Sequence, residues 1–172
     1  MPLVKLLNKK YNFETDVSNL IAYVFNKEKT MFPRPSRNYL IGIAPDMICS
    51  GLPGREGRAA TLFRDNHDYW GKTTSDLIHQ IVISFEAYEL NNPYLAWTFA
   101  YEIAQDYFSK GYFCCFGVHL NTEHIHIHFV VDNVSYVNGN SFFVPGEILE
   151  LQAKAKRFCE VKSGPYQPAI QS

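Results

Sequence analysis

The sequence predicts an α+β fold: a single domain in which one central, mostly antiparallel β-sheet is covered by helices. Three observations carry that expectation. Runs rich in β-branched and aromatic residues at 77–85, 112–120 and 124–134 have the composition of strands. Segments starting near residues 15, 92 and 146 repeat apolar residues at helical spacing. The last two strands are separated only by Asn121-Thr122-Glu123, a connection short enough to make them antiparallel neighbours.

In chain order, residues 2–7 alternate weakly and start the sheet. Thr15 or Asp16 caps a helix to about Lys27, with Val17, Leu20, Ile21 and Val24 as its inward stripe. A short strand at 39–43 precedes a Gly- and Pro-containing loop at 45–58, then a helix at 58–70 that stops before Gly71. The strand 77–85 follows. Asn92 caps the next helix with Pro93 in its first turn, Leu95, Phe99 and Ile103 face inward, and Gly111 ends it. After the two central strands, Asn138-Gly139 marks a hairpin leading into 141–144. A final helix at about 146–160 turns Ile148, Leu151, Ala155 and Phe158 inward. Residues 1–162 are thus expected to form the domain, and 163–172 a loose Pro-containing tail, the chain being either a domain cut from a larger protein or a small protein in itself.

Composition narrows the class. Apolar residues make up 47% and aromatics 15%, with 11 Tyr and 13 Phe, so the chain is globular. The N-terminus lacks a signal-peptide core and no run of 18 or more apolar residues occurs, so a cytoplasmic protein without membrane insertion is expected. Cys49, Cys114, Cys115 and Cys159 form no Cys-x-x-Cys pair, which disfavours a sulfur-bound zinc and a disulfide scaffold. The net charge of -1 leaves no global basic footprint. Basic residues cluster locally instead, among them Lys5, Lys9 and Lys10, then Lys27, Lys29, Arg34 and Arg37, and Arg55, Arg58 and Arg64.

Residues 119–128 hold four of the six histidines. Side chains alternate along a strand, so His124, His126 and His128 share one face while Ile125, Ile127, Phe129 and Val131 take the other, the core face. With a four-residue connection, residue 119 lies opposite residue 126 in the antiparallel pair, and cross-strand neighbours lie roughly 4.5–5.5 Å apart at Cβ. His119, His126 and His128 can therefore converge on one ion, leaving His124 beside the turn as a neighbour. Three imidazoles with open positions describe a catalytic metal site better than a structural one. Scattered surface histidines are the bland alternative, and four in ten residues at this spacing argue against it. Imidazole suits Zn²⁺, Mn²⁺ and other divalent ions alike.

On a helical wheel anchored at Val17, the apolar stripe clusters near the origin and Tyr23 falls at about 240°. A tyrosine off the stripe is free for chemistry, and Lys27 and Lys29 follow it closely enough to hold a phosphate. A phenol is suited to reversible transfer, since a phosphotyrosine stores a cleaved phosphodiester for resealing.

These residues carry a resemblance. The segment HLNTEHIHIHFVVDNV at 119–134 resembles the histidine motif of MobA-type plasmid mobilisation relaxases, within the HUH endonuclease superfamily. LIAYVFNKEKT at 20–30 is similar to their tyrosine motif, and HQIVISF at 79–85 to the strand before their long helix. The resemblance implies an HUH relaxase fold with a ferredoxin-like core over about residues 1–160. It implies Tyr23 as nucleophile, His119, His126 and His128 as metal ligands, and Mg²⁺ or Mn²⁺ as the ion. It also implies nicking of single-stranded DNA at a transfer origin, with accessory mobilisation proteins as partners. Lys27, Lys29, Arg34, Arg37, Arg55 and Arg58 are candidate DNA contacts. Two positions depart from the pattern: Asn121 stands where the family commonly has Asp, and Asp132 where it tends to have Asn. Asn121, Glu123, His124 and Asp132 are the candidates for orienting the ligands or taking the tyrosine proton. Alternative readings are a replication initiator or transposase of the same superfamily, with Tyr136 or Tyr166 as nucleophile, a non-catalytic metal- or DNA-binding module, and a histidine-metal hydrolase without a tyrosine.

Overall fold

The computed structural model describes residues 1–31, 39–45, 55–142 and 145–162, with Arg55 described by its backbone alone. Arg34, Arg37, Cys49, the end of the expected 141–144 segment and the tail with Tyr166 lie outside the described residues. The elements are β1 (Leu3–Leu7), α1 (Glu14–Val24), α2 (Lys27–Thr30), β2 (Ile41–Ala44), α3 (Arg55–Tyr69), β3 (Ile78–Phe85), α4 (Pro93–Ser109), β4 (Cys114–His119), β5 (Ile125–Asp132) and α5 (Glu147–Lys162). The five strands form one sheet in the order β1-β3-β5-β4-β2, antiparallel throughout. The α+β expectation is met. No helix among the described residues is long and apolar enough to cross a membrane.

The strand register fixes two faces. Ile81, Ile83 and Phe85 of β3, Phe116 and Val118 of β4, and Ile127, Phe129 and Val131 of β5 join one core with Phe99, Ile103 and Tyr107 of α4 and Leu151 and Ala155 of α5. Asn92 caps α4 by accepting from the amides of Tyr94 and Leu95, and Gly111 closes it at φ +96°. The opposite face of the sheet carries the histidines. It is half covered: Val17, Leu20, Ile21 and Val24 of α1 and Phe63 of α3 bury Cys115 and Val130 beneath a second core. Leu3 and Leu7 at the β1 edge stay exposed on that side.

The first helix differs from expectation at both ends. Glu14, Thr15 and Asp16 lie inside α1, and the Asp16 carboxylate reaches back to accept from the amides of Asn12 and Phe13. Asp16 is thus the N3 half of a capping box rather than the cap itself. The helix stops at Val24 instead of Lys27, because the Asn26 side chain accepts from the amides of Glu28 and Lys29 and starts α2. Arg55 begins α3 earlier than the expected residue 58.

A buried polar cluster joins three elements on this side. His67 near the end of α3 is fully buried, with Nε2 2.9 Å from Asp132 at the end of β5 and Nδ1 2.6 Å from Glu14 at the start of α1. The amides of Asn66 and Val134 also donate to the Asp132 carboxylate, at 2.9 and 2.8 Å. Burial alone pulls the His67 imidazole down, but its contacts to Asp132 and Glu14 outweigh that and raise its pKa above the ordinary value. Burial raises the Asp132 carboxyl as well, against the pull of His67, Val134 and Asn66. Both shifts have one sign: the folded cluster holds its protons more tightly than the unfolded chain does. The Asp132 part of its contribution is lost as the pH rises from the ordinary carboxyl pKa through the raised one, and the His67 part is full below the ordinary histidine pKa and is lost as the pH rises through the raised His67 value. Denaturant titrations are therefore expected to give falling stability from about pH 6.5 upward, and a flatter profile in His67→Gln. That variant leaves two carboxylates without their cation and is expected to lose roughly 3 kcal/mol near neutral pH.

Candidate active site at the end of the first helix

Position 117 decides how close α1 comes to the sheet. A methyl group added there would collide with the Val24 carbonyl oxygen and stand 3.3 Å from the Thr30 methyl. With only hydrogen at Gly117, the last turn of α1 lies directly on β4. His119, two residues along the same face, donates from Nε2 to the same Val24 carbonyl at 2.9 Å. The Lys29 carbonyl accepts from the Leu120 amide at 2.8 Å, so α2 is tied to the end of β4 as well.

This seating brings the expected residues together. Tyr23 is 43% exposed while Val17, Leu20, Ile21 and Val24 are buried, as the helical wheel requires. Its ring meets His119 edge-on at 5.3 Å between centroids and His128 at 5.5 Å. The Lys29 ammonium sits 4.0 Å over the same ring. His119 pairs with His126 across the strands, and the centroids of His119 and His128 are 4.3 Å apart, those of His126 and His128 6.4 Å. His124 turns outward, 3.3 Å from Glu86.

All three site histidines are neutral near pH 7. Burial pushes His128 down to about 3, helped by His119, His126 and Lys29. Burial also lowers His119 and His126, with Lys29 and His126 acting on the first and His124 on the second. Each ring has one nitrogen held by a partner. His119 Nε2 gives its proton to Val24; His126 Nδ1 faces the Thr122 hydroxyl at 3.1 Å, which itself donates to the His124 carbonyl; and His128 Nδ1 faces the Gln80 amide at 3.3 Å. That leaves His119 Nδ1, His126 Nε2 and His128 Nε2 facing no partner among the described residues. Three neutral imidazoles, each anchored through its second nitrogen, are a donor set suited to a divalent ion. As they lie, no group of three His, Cys, Asp or Glu among the described residues is gathered tightly enough to hold one.

The other candidates separate. Asp132 is committed to His67 and Asn66, away from the histidine strand's outer end, so it serves the fold and not the tyrosine or the ligands. Asn121 and Glu123 are exposed and make no side-chain bond among the described residues. Thr122 between them makes the contact to His126 that was expected of its neighbours. Lys27 and Arg58 are exposed and touch neither the tyrosine nor the histidines. Gly117, Thr122 and Gln80 were missed from the sequence. The short turn and the identical strand face pointed toward the last two, but nothing local distinguishes Gly117.

Fold and site together define a compact α+β domain with a histidine face on an antiparallel sheet. The family model described as relaxase, MobA/VirD2-like, nuclease domain, matches residues 46–162, more than half of the chain. The chain belongs to that family, and is by membership a DNA-nicking nuclease of the relaxase kind. No curated protein and no solved structure gives a significant match. The matched span contains His119, His126 and His128 but begins after Tyr23, so the tyrosine is tied to the site by geometry alone.

The close approach at Gly117 gives a direct test. Gly117→Ala is expected to lift the end of α1 from β4 and cost roughly 1–3 kcal/mol, as overpacking of a filled interior does. Thermal unfolding and crystallographic comparison of the variant should show Tyr23 withdrawn from His119 and His128. An unshifted helix with unchanged stability contradicts the constraint.

Proposed function

We propose that the chain nicks one strand of DNA at a transfer origin by attack of Tyr23 on a phosphodiester, for conjugative transfer or mobilisation of a plasmid or integrative element. The observation that carries this reading is the Tyr23 ring, half exposed, edge-on to His119 and His128 with Lys29 over its face. In this step the phenol oxygen bonds to phosphorus and the bond from phosphorus to the 3′ oxygen breaks. The phenol proton passes to the water bordering the exposed ring edge, and the departing 3′ oxygen takes a proton up. The 5′ phosphate remains on Tyr23, and attack by a 3′ hydroxyl reverses the step and reseals the strand.

His119, His126 and His128 would hold a divalent ion, Mg²⁺ or Mn²⁺, which supplies charge to polarise the scissile phosphate. Neutral ligands leave the ion's positive charge undiminished for that purpose. Lys29, 4.0 Å over the tyrosine ring, would meet a phosphate carried by the tyrosine oxygen, while Lys27, two residues earlier on α2, is exposed to solvent. Single-stranded DNA is the substrate form this reading requires, with accessory proteins supplying the duplex opening that one small domain does not. The rival placement of the nucleophile after the histidine strand gains no support from Tyr136. Its hydroxyl donates to the Phe108 carbonyl at 2.7 Å, and its ring stacks on Phe108 and Phe113.

Incubation with Mn²⁺ and single-stranded oligonucleotides from the surrounding mobile element should give a covalent protein–DNA adduct by mass spectrometry. Tyr23→Phe is expected to abolish it, and cleavage that survives this change would assign the reaction to a hydrolase. Metal binding with neither cleavage nor adduct would favour the non-catalytic module. Lys29→Gln is expected to weaken single-strand binding and lower the slope of log affinity against log salt by about 0.7, the loss of one phosphate contact.

A further inference from the structure

Behind the histidine face lies a pair of buried polar side chains that the step above does not use. The Tyr11 hydroxyl, on a residue 2% exposed just before α1, is 2.8 Å from Gln80 Oε1. Gln80, also buried, extends from β3 on the His128 face, and its Nε2 is 3.3 Å from His128 Nδ1. Gln80 thus has Tyr11 at one end of its amide and a candidate ligand at the other.

An amide has an oxygen that only accepts and a nitrogen that only donates. His128 is neutral and carries one ring proton. Only two arrangements therefore satisfy the contact between Gln80 and the ring. In the first, Tyr11 donates to the amide oxygen, the amide N–H donates to Nδ1, and the ring proton sits on Nε2. In the second the amide is reversed: Nδ1–H donates to the oxygen, and Tyr11 accepts from the amide nitrogen. The first pairs every buried group but puts a proton on Nε2, the nitrogen with no other partner. The second bares Nε2 and leaves the Tyr11 proton without a buried acceptor, which is costly in the interior. Burial raises the Tyr11 pKa, with Asp16 adding to it, so the phenol keeps the proton that needs an acceptor.

We propose that Gln80 is a positioning residue that couples the tautomer of His128 to the buried Tyr11 hydroxyl, and that Tyr11 holds the amide in the orientation opposing capture of a divalent cation. The loading half of this statement rests on His128 being a ligand. The coupling half does not.

The two halves are tested on the whole chain with folding checked by thermal unfolding. Calorimetric titration with Mn²⁺ is expected to show affinity raised roughly ten-fold in Tyr11→Phe, where the amide turns freely. Gln80→Glu is expected to raise it similarly, because a carboxylate accepts from Tyr11 and Nδ1–H at once. Gln80→Met is expected to lower it roughly ten-fold, the scale of losing an outer-shell partner. A purely structural role predicts no gain in any of the three. Nitrogen NMR of the metal-free protein should place the His128 proton on Nε2 in the wild type, on Nδ1 in Gln80→Glu, and on both in Tyr11→Phe. A wild-type proton already on Nδ1, or a Tyr11→Phe tautomer unchanged, overturns the coupling. Lowered Mn²⁺ affinity in Tyr11→Phe overturns the loading half. If no form binds Mn²⁺, the ligand role of His128 falls with that half, while the spectra still decide the coupling.

Discussion

The site depends on one close approach, the Val24 carbonyl against β4 at Gly117. A carbonyl in the last turn of a helix has no partner within the helix and carries part of the negative end of its dipole. Here the His119 imidazole satisfies it. One contact therefore performs three tasks. It ends α1 on the sheet, fixes which His119 nitrogen carries the proton, and puts Tyr23, the preceding residue, beside His128. The break at Phe25 and Asn26 follows from the same seating, since α2 must leave the helix axis to reach Leu120 and bring Lys29 back over the tyrosine ring. A helix continuing to Lys27 would have carried Lys29 elsewhere.

Much of this was legible from sequence because strand and helix periodicities are local. Alternation put His126 and His128 on one face, the four-residue connection set His119 opposite His126, and the wheel lifted Tyr23 off the buried stripe; the structure holds all of these placements. The misses are long-range. His67 meets partners 53 and 65 residues away, and Gln80 meets Tyr11 69 residues away. No window of sequence contains such pairs. Asp132 misled for the same reason: its parity matches the ligands, but its partner was invisible until α3 was packed against the strand's far end. The split of α1 from α2 was a failure of a different kind. Asn26 is a cap signal in plain view, overridden by the helical spacing on either side of it.

Glu14 and Asp132 are kept away from the tyrosine. Glu14 begins α1, where a helix favours negative charge, and Tyr23 stands near its other end. Asp132 occupies the end of β5 distant from His126 and is fully buried. Both carboxylates converge on His67, so one imidazolium offsets part of their charge at that end of the sheet. The cluster that clamps α1 and α3 to β5 is thus also what keeps negative charge from the place where a phosphodiester would lie.

The groups that hold the histidine rings have the same bias. A carboxylate behind each histidine would fix the ring and raise its basicity, but would add negative charge beside an anionic substrate. This chain uses a backbone carbonyl, a threonine hydroxyl and a glutamine amide instead, and each orients a ring without adding a charge. With neutral imidazoles in front and Lys29 4.0 Å over the tyrosine ring, a positive charge stands at the site even though the whole chain carries -1. Net charge is a sum over the surface, whereas a phosphodiester at the tyrosine feels mainly the charges within about a Debye length, ~10 Å. The missing global basic footprint and a DNA-directed site are therefore compatible, and the arrangement of charge around Tyr23 carries more weight than its total.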